Sequence, residues 1–268
     1  MKTILITGAS SGLGKATAKL FQSRGWRVIA TMRQPEKEKD LNKLENVYLV
    51  KLDVGNVQEI NQIVTELTNS FSIDVVLNNA GYGLVGPLEA LNDEQIIKQI
   101  ETNLLGVIRI TKAFTPYFRI KRNGMFLNIT STFGLMGFPT CSIYSATKFA
   151  VDGFSESMAY ELAQFGIQVK VIAPGGIQTD FASRSMDFAQ HHAYEALTVE
   201  VSKGYSAAKV AEYSKAEDIA LVVYQAATDE KNQLRYIAGK DAEALYEERT
   251  NDGAEKQFQQ VRDMFNFN

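Results

Sequence analysis

A hydroxyl, a phenol and an ammonium fall within one short window of this 268-residue chain, at Ser131, Tyr144 and Lys148. Tyr144 and Lys148 are four apart, and on a helix beginning after Pro139 that spacing stacks their side chains on one face, one turn apart. An ammonium held beside a phenol favours the phenolate and loosens the proton, so that a tyrosine can exchange protons nearer neutral pH. Ser131 ends an apolar run, Met125 to Thr130, that reads as a buried strand. Its hydroxyl would emerge at that strand's carboxyl end, where open α/β sheets keep their ligands. Taken alone, a Tyr and a Lys four apart are usually a packed ring and a solvated amine. The elements around them decide between the two readings.

The chain opens with a β-branched run, Lys2 to Thr7, that enters a glycine turn over Gly8, Ser10, Ser11, Gly12, Leu13 and Gly14, and then a helical pattern from Lys15 to Arg24. Glycines at a strand-to-helix turn let the backbone approach a pyrophosphate, and the helix amino terminus offers free N–H groups. The spacing is Gly-x-x-x-Gly-x-Gly rather than the common dinucleotide fingerprint. A second strand, Trp26 to Thr31, closes at Met32 and Arg33. An NAD-preferring fold usually places an acid there to accept the ribose 2′-hydroxyl. A cation in its place suits a 2′-phosphate, so the pair argues for NADP(H), with NAD remaining possible.

A third strand, Val47 to Leu52, ends at Asp53 and Val54. Asp53 would accept from an adenine amino group or cap the helix that runs from Asn56 to about Phe71. The near-continuous apolar strand Ile73 to Leu77 is of the kind buried on both faces of a parallel sheet, and it ends at Asn78, Asn79, Ala80 and Gly81. Small residues there would let a ribose lie against the backbone. From a cap at Asn92 a long helical pattern runs to about Lys121 and contains Asn103, a poor helix former whose amide must be satisfied. The Tyr144 helix should extend to about Phe165. A sixth strand, Ile167 to Ala173, leads into Pro174, Gly175, Ile177 and Thr179, whose backbone and hydroxyl groups could meet a nicotinamide amide or a phosphate. From Asp180 to about Lys215 periodicity is poor, and this segment is a candidate substrate wall or an ordinary surface excursion. A helix over Glu217 to Ala227, a last strand over Leu234 to Ile237 and a charged helical tail from Asp241 complete the pattern.

The proportions, 45% apolar and 22% charged residues, fit one large α/β domain over 1–268 rather than two. A net charge of −3 supplies no basic field for nucleic acid. The single cysteine, Cys141, excludes an internal disulfide and a cysteine-cluster metal site, and the only histidines, His191 and His192, are adjacent, so no metal site is expected. Neither a signal peptide nor a membrane span is apparent, which reads as a cytoplasmic protein with no membrane partner.

Gly8 to Gly14, Asn78 to Gly81, Asn103, Ser131, Tyr144 with Lys148, and Pro174 with Gly175 occur in the order and spacing of the short-chain dehydrogenase/reductase family, which the chain resembles from Lys2 to Thr179. Arg235, Tyr236 and the run Gly239 to Ala242 are a late echo. Within the family, Ala30 to Arg33 and Gly134 to Gly137 resemble the branch of steroid 17-beta and retinol dehydrogenases and carbonyl reductases. The resemblance implies a single Rossmann domain: a doubly wound parallel sheet of about seven strands with helices on both faces. It also implies hydride transfer between the nicotinamide and a carbonyl or alcohol carbon of a small molecule. Ser131 would orient the substrate oxygen, Tyr144 would exchange its proton, Lys148 would lower the tyrosine pKa and bind the ribose, and Asn103 would hold a relay water. By the same analogy the Asn92 and Ser142 helices would pair across a two-fold axis into a homodimer or homotetramer, with Ile97, Ile108, Phe114, Phe149 and Phe154 supplying apolar surface. A cofactor-binding regulator without turnover would be free to lose the proton-transfer residues, all four of which are present. A nucleotide-sugar epimerase would usually show Thr-Gly-x-x-Gly-x-x-Gly, which is absent.

Overall fold

A computed structural model describes residues 1–178 and 186–265. Seven parallel strands form its centre in the order β11-β7-β6-β4-β1-β2-β3. They are β1 (Thr3–Thr7), β2 (Arg27–Met32), β3 (Val47–Lys51), β4 (Val75–Asn78), β6 (Gly124–Ile129), β7 (Ile167–Pro174) and β11 (Arg235–Ala238). Every residue of β1 and β4 is buried, as a parallel sheet covered on both faces requires.

Helices α1 (Gly12–Ser23) and α8 (Ala216–Thr228) cover one face, where Phe21, Trp26, Ile219 and Val223 are buried together. Helices α2 (Val57–Ser70), α4 (Gly106–Lys121) and α5 (Ser142–Ala163) cover the other, around Ile60, Phe114, Phe118 and Leu162. Strand order reverses between β1 and β4, so a crevice opens beyond the carboxyl ends of these two strands. A buried amide network fixes their neighbours: Asn78 Nδ2 donates to Asn128 Oδ1 (2.8 Å) and to Thr111 Oγ1 (3.2 Å), and Asn128 Nδ2 donates to Ser155 Oγ (2.8 Å). One set of bonds thereby ties β4, β6, α4 and α5, the elements that carry Asn79, Ser131 and Lys148.

The long helix expected from Asn92 begins with a capping box between Asn92 and Gln95 over α3 (Asp93–Ile100). It is then interrupted by a π-helical turn, Glu101–Leu105, before α4. The expected strands and helices otherwise occur with ends shifted by one to three residues, the largest shift being the start of α1 at Gly12 rather than Lys15. Periodicity did not indicate β5 (Gly83–Val85) and β9 (Met186–Phe188), which pair in parallel as a separate ribbon, nor β8 (Ile177–Gln178) with β10 (Ser214–Lys215). Helices α6 (Glu195–Lys203) and α7 (Ala207–Val210) lie in the segment that had read as irregular. The tail forms α9 (Lys240–Asp252) and α10 (Ala254–Met264). Among the described residues no helix is long and apolar enough to cross a membrane.

Candidate active site

The glycine turn is shaped by contacts that a side chain would destroy. Gly8 has φ +67°, and a Cβ there would sit 2.8 Å from Ala80 Cα. A Cβ on Gly14 would sit 2.5 Å from both Asn79 Nδ2 and the Gly8 oxygen. Asn79 holds the turn from the other side: its Nδ2 donates to the oxygens of Thr7 (2.9 Å) and Gly8 (3.1 Å). Thr7 Oγ1 accepts from the N–H groups of Asn79 and Ala80, both at 3.0 Å. Ser10 is exposed and Ser11 half-exposed, whereas the Leu13 side chain belongs to the core, leaving only its backbone for a ligand. The Ser11 side chain makes no cap bond, and the first turn of α1 carries no acid. Its N–H groups are therefore open to an anion. This cradle, which any Cβ would fill, fits the pyrophosphate of a dinucleotide.

Arg33 is exposed just beyond β2, has no ion pair among the described residues, and follows Met32, which is buried. Lys15, by contrast, is committed to Asp40 (2.7 Å) and Glu38 (3.0 Å). Asp53 does not cap α2. Asn56 does, accepting from the Gln58 and Glu59 N–H groups, while Asp53 Oδ1 accepts from the Gly55 N–H at 2.9 Å. Val54 is buried with Cγ2 facing Gly106, so it supports the helix and offers a ligand only backbone.

Ser131, buried at the end of β6, accepts from the Phe133 N–H (3.2 Å) and caps the 3-10 turn Thr132–Gly134. Its hydroxyl lies near enough to the half-buried Tyr144 phenol to lower the phenol's pKa, and Lys148 lies one turn further along α5. The Lys148 ammonium donates to the Ile129 oxygen at 2.9 Å and stands 5.8 Å from the centre of the Tyr144 ring. In the protein alone the expected lowering of the phenol does not appear. Burial pushes Tyr144 up to about 12, with the nearby Ser131 hydroxyl opposing it, and burial pushes Lys148 down to about 8. The ammonium is turned to a backbone carbonyl and has two more N–H groups to offer, which suits a ribose diol.

Asn103 sits within the π turn, almost wholly buried, and uses both ends of its amide on Tyr82: Nδ2 donates to the Tyr82 oxygen (2.8 Å), and Oδ1 accepts from the Tyr82 N–H (3.0 Å). The amide is thus satisfied by backbone, and it fixes the chain directly after Gly81, whose missing Cβ would lie 3.1 Å from Asn103 Oδ1. At the end of β7 the Gly175 N–H donates to the Ala238 oxygen (3.1 Å) and the Gly176 N–H to Asp241 Oδ2 (2.7 Å). Ile177 follows, half-exposed in β8. Thr179 lies outside the described residues. Asp241 was visible only as part of the late motif echo and Tyr205 only as one of the aromatics in the segment from Asp180, while Tyr82 and Tyr213 had no local signal. Phe114, offered as interface surface, is fully buried because its face of α4 points at the sheet.

A family model described as short chain dehydrogenase matches residues 2–190. The chain belongs to the short-chain dehydrogenase/reductase family. It is 41% identical over 179 residues to the 3-ketodihydrosphingosine reductase of Bacteroides thetaiotaomicron, covering 66% of this chain and 65% of that protein. To human retinol dehydrogenase 8 it is 34% identical over 192 residues, covering 68% and 61%. The crystal structure of a short-chain dehydrogenase from Streptomyces avermitilis superposes with a TM-score of 0.86 at 30% identity, covering 94% of each chain. The protein is an NAD(P)-dependent oxidoreductase with a single Rossmann-like domain.

Proposed function

We propose that this oxidoreductase interconverts a carbonyl and a secondary alcohol on an apolar small molecule, using NADP(H), with Tyr144 as the proton-exchanging group. The observation that carries this reading is the meeting of the Ser131 hydroxyl, the Tyr144 phenol and the buried Lys148 ammonium, which stands 5.8 Å from the centre of the Tyr144 ring. The nicotinamide supplies or accepts the hydride when bound. Ser131 and Tyr144 take the substrate oxygen between their hydroxyls, and Tyr144 delivers the proton that this oxygen needs to become an alcohol. Lys148 holds the ribose and, charged beside the phenol, eases that proton's departure. Asn103 sets the Tyr82 backbone beside the site, where a relay water would be held. Gly8, Ser10, Ser11, Gly12, Leu13 and Gly14 bind the pyrophosphate through backbone and hydroxyl groups. Asp53 and Val54 would flank the adenine, Asn79, Ala80 and Gly81 the ribose, and Pro174, Gly175 and Ile177 the carboxamide; Thr179, also expected there, lies outside the described residues.

The NADP(H) preference rests on Arg33, an exposed cation where an acid would repel a 2′-phosphate. The apolar substrate class rests on a run of aromatic rings leading away from the phenol. Phe133 meets Tyr144 edge-on at 6.4 Å, stacks on Phe138 at 4.9 Å, and Phe138 meets Phe265 of the tail at 5.6 Å. A groove of about 810 Å³ continues past Phe138, with Met136, Pro139, Phe258 and Val261 as its apolar lining and Arg249, Glu255, Gln257 and Arg262 among them. Retinol, a primary alcohol, and 3-ketodihydrosphingosine, a ketone flanked by an amine and a hydroxyl, named for the two relatives, each carry their polar groups at one end of a long apolar body. The segment 186–215 and the tail would form the walls of the substrate site. We further propose a cytoplasmic homo-oligomer joined through α3 and α5, on which Ile97, Phe149 and Tyr160 are exposed. A strict monomer in light scattering at micromolar concentration would refute that assembly.

The test of function is a panel of steroids, retinoids, long-chain ketones, quinones, sugars and small ketones followed at the nicotinamide absorbance with each cofactor. Apolar carbonyls should turn over, and faster with NADPH than with NADH. Tight NADPH binding with no turnover anywhere in the panel would favour a cofactor-binding regulator instead.

A further inference from the structure

The groove past Phe138 is not apolar throughout, and the cation on its lining is held in place. Gly253, with φ +85°, makes the turn that folds α10 back on α9. That turn brings Gln257, almost fully buried, against two groups of α9. Gln257 Nε2 donates to the Leu245 oxygen at 2.9 Å, and Gln257 Oε1 accepts from Arg249 Nη1 at 3.3 Å. A buried amide engaged at both ends fixes the guanidinium it accepts from. Arg249 itself is half-buried and has no carboxylate partner among the described residues, so the rest of its N–H fork is open to a ligand. A second cation, Arg262, lines the same groove and stands 6.0 Å from the centre of the Phe258 ring. Among the described lining residues the one acid, Glu255, is exposed, where water screens its charge.

We propose that the substrate is an amphipathic carbonyl compound with a carboxylate at the end remote from the reacting carbon, that Arg249 binds this carboxylate, and that Gln257 is the positioning residue for Arg249. A wholly apolar chain in the groove would desolvate the guanidinium and return nothing, whereas a carboxylate takes its N–H groups two at a time. Two rings, Phe133 and Phe138, stand between the Tyr144 phenol and the groove. The acid therefore lies at the opposite end of an apolar chain from the reacting carbonyl, as it does in a long-chain oxo acid. This inference rests on the reading of that ring run as the substrate path.

The test uses the full chain and two measurements. In the first, oxo acids of graded chain length, with the keto group remote from the carboxylate, are compared with their methyl esters as substrates with NADPH. At the best length the acid should exceed its ester in kcat/KM about tenfold, through KM, and added salt should shrink the difference. Arg249→Met should bring the ratio of acid to ester close to one, and Arg249→Lys should recover part of it. Arg249→Glu should turn the preference toward the matching amine-ended ketone. Gln257→Leu should raise KM for the acid more than for the ester. In the second, calorimetric titration of the NADP-loaded protein with dodecanoate and with methyl dodecanoate reads the same site without turnover. The acid should bind about tenfold more tightly to the parent protein and about equally to Arg249→Met. An acid with no advantage over its ester in either measurement overturns the proposal, as does an advantage that Arg249→Met leaves unchanged. Neutral long-chain ketones that turn over while the acid gains nothing would remove this inference and leave the proposed activity standing. Arg249-dependent binding of dodecanoate with no turnover of any carbonyl would support the carboxylate site and remove the proposed activity.

Discussion

The proposed cofactor floor and the proposed substrate cover are held together by different physics. The floor is made of backbone: Gly8 and Gly14 are pinned by the Asn79 amide and Thr7 hydroxyl at the ends of two buried parallel strands. Its shape depends on atoms that are absent, and it has no freedom to accommodate added ones. The cover is made of side chains on short elements: Phe138 meets Phe265 ring to ring, and the Tyr213 hydroxyl reaches the Gly204 oxygen. A floor so built suits one invariant ligand, whereas a cover so built can be reshaped by exchanging rings without disturbing the sheet. Fold and cofactor class can thus be shared across a family while substrate varies.

Substitutions on the two sides should therefore differ in kind as well as size. Gly14→Ala puts a methyl 2.5 Å from a backbone oxygen and the Asn79 amide, and neither can retreat without breaking the floor. Calorimetric titration should show NADPH affinity reduced at least ~10²-fold. Unchanged affinity would mean that the floor is softer than described. Arg33→Ala keeps the floor and removes one cation, so NADPH binding should weaken about tenfold to thirtyfold while NADH binding stays level. Equal affinities for the two cofactors in the parent protein would remove the basis for the NADP(H) assignment.

Lys148 offers a test at the seam. Its folded pKa is lowered from 10.5 to about 8 by burial, so between those values the unfolded chain binds more protons than the folded one. Stability of the cofactor-free parent relative to Lys148→Met should then rise with pH across that window, by at most about 1.4 kcal/mol per pH unit, and be flat below it. Paired thermal melts across the pH range would read this, and a parallel pair of curves would contradict it. On the cover, Phe138→Ala should raise KM for an apolar substrate only about threefold to fivefold, with NADPH affinity unmoved. An equal loss of cofactor affinity would show that floor and cover are not separable.

The same division decides what the residues disclosed by themselves. Gly8, Gly12, Gly14 and Gly81 are legible because a backbone approach demands glycine, and the all-buried strands because both faces are covered. Asn103 was legible as a buried amide in need of partners, but that its partners are the two backbone groups of Tyr82 depends on a chain segment 21 residues away. Asp241 is ordinary in its local surroundings; only tertiary packing brings it to the Gly176 N–H. The three-residue strands at Gly83–Val85 and Met186–Phe188 are too short to show a period. The phenol itself is instructive: spacing alone put an ammonium beside it, but the folded protein turns that ammonium to the Ile129 carbonyl and leaves burial to set the phenol's affinity for its proton.

The central claim is that Tyr144 moves the proton, and turnover by Tyr144→Phe tests it most directly. The change removes one oxygen from a half-buried ring whose packing against Phe133 stays in place. With a carbonyl that the parent protein reduces, kcat should fall ~10²-fold or more, the contribution general acid catalysis supplies, while NADPH affinity and thermal stability stay close to those of the parent. Retention of most of the activity would make Tyr144 a packed ring and contradict the mechanism.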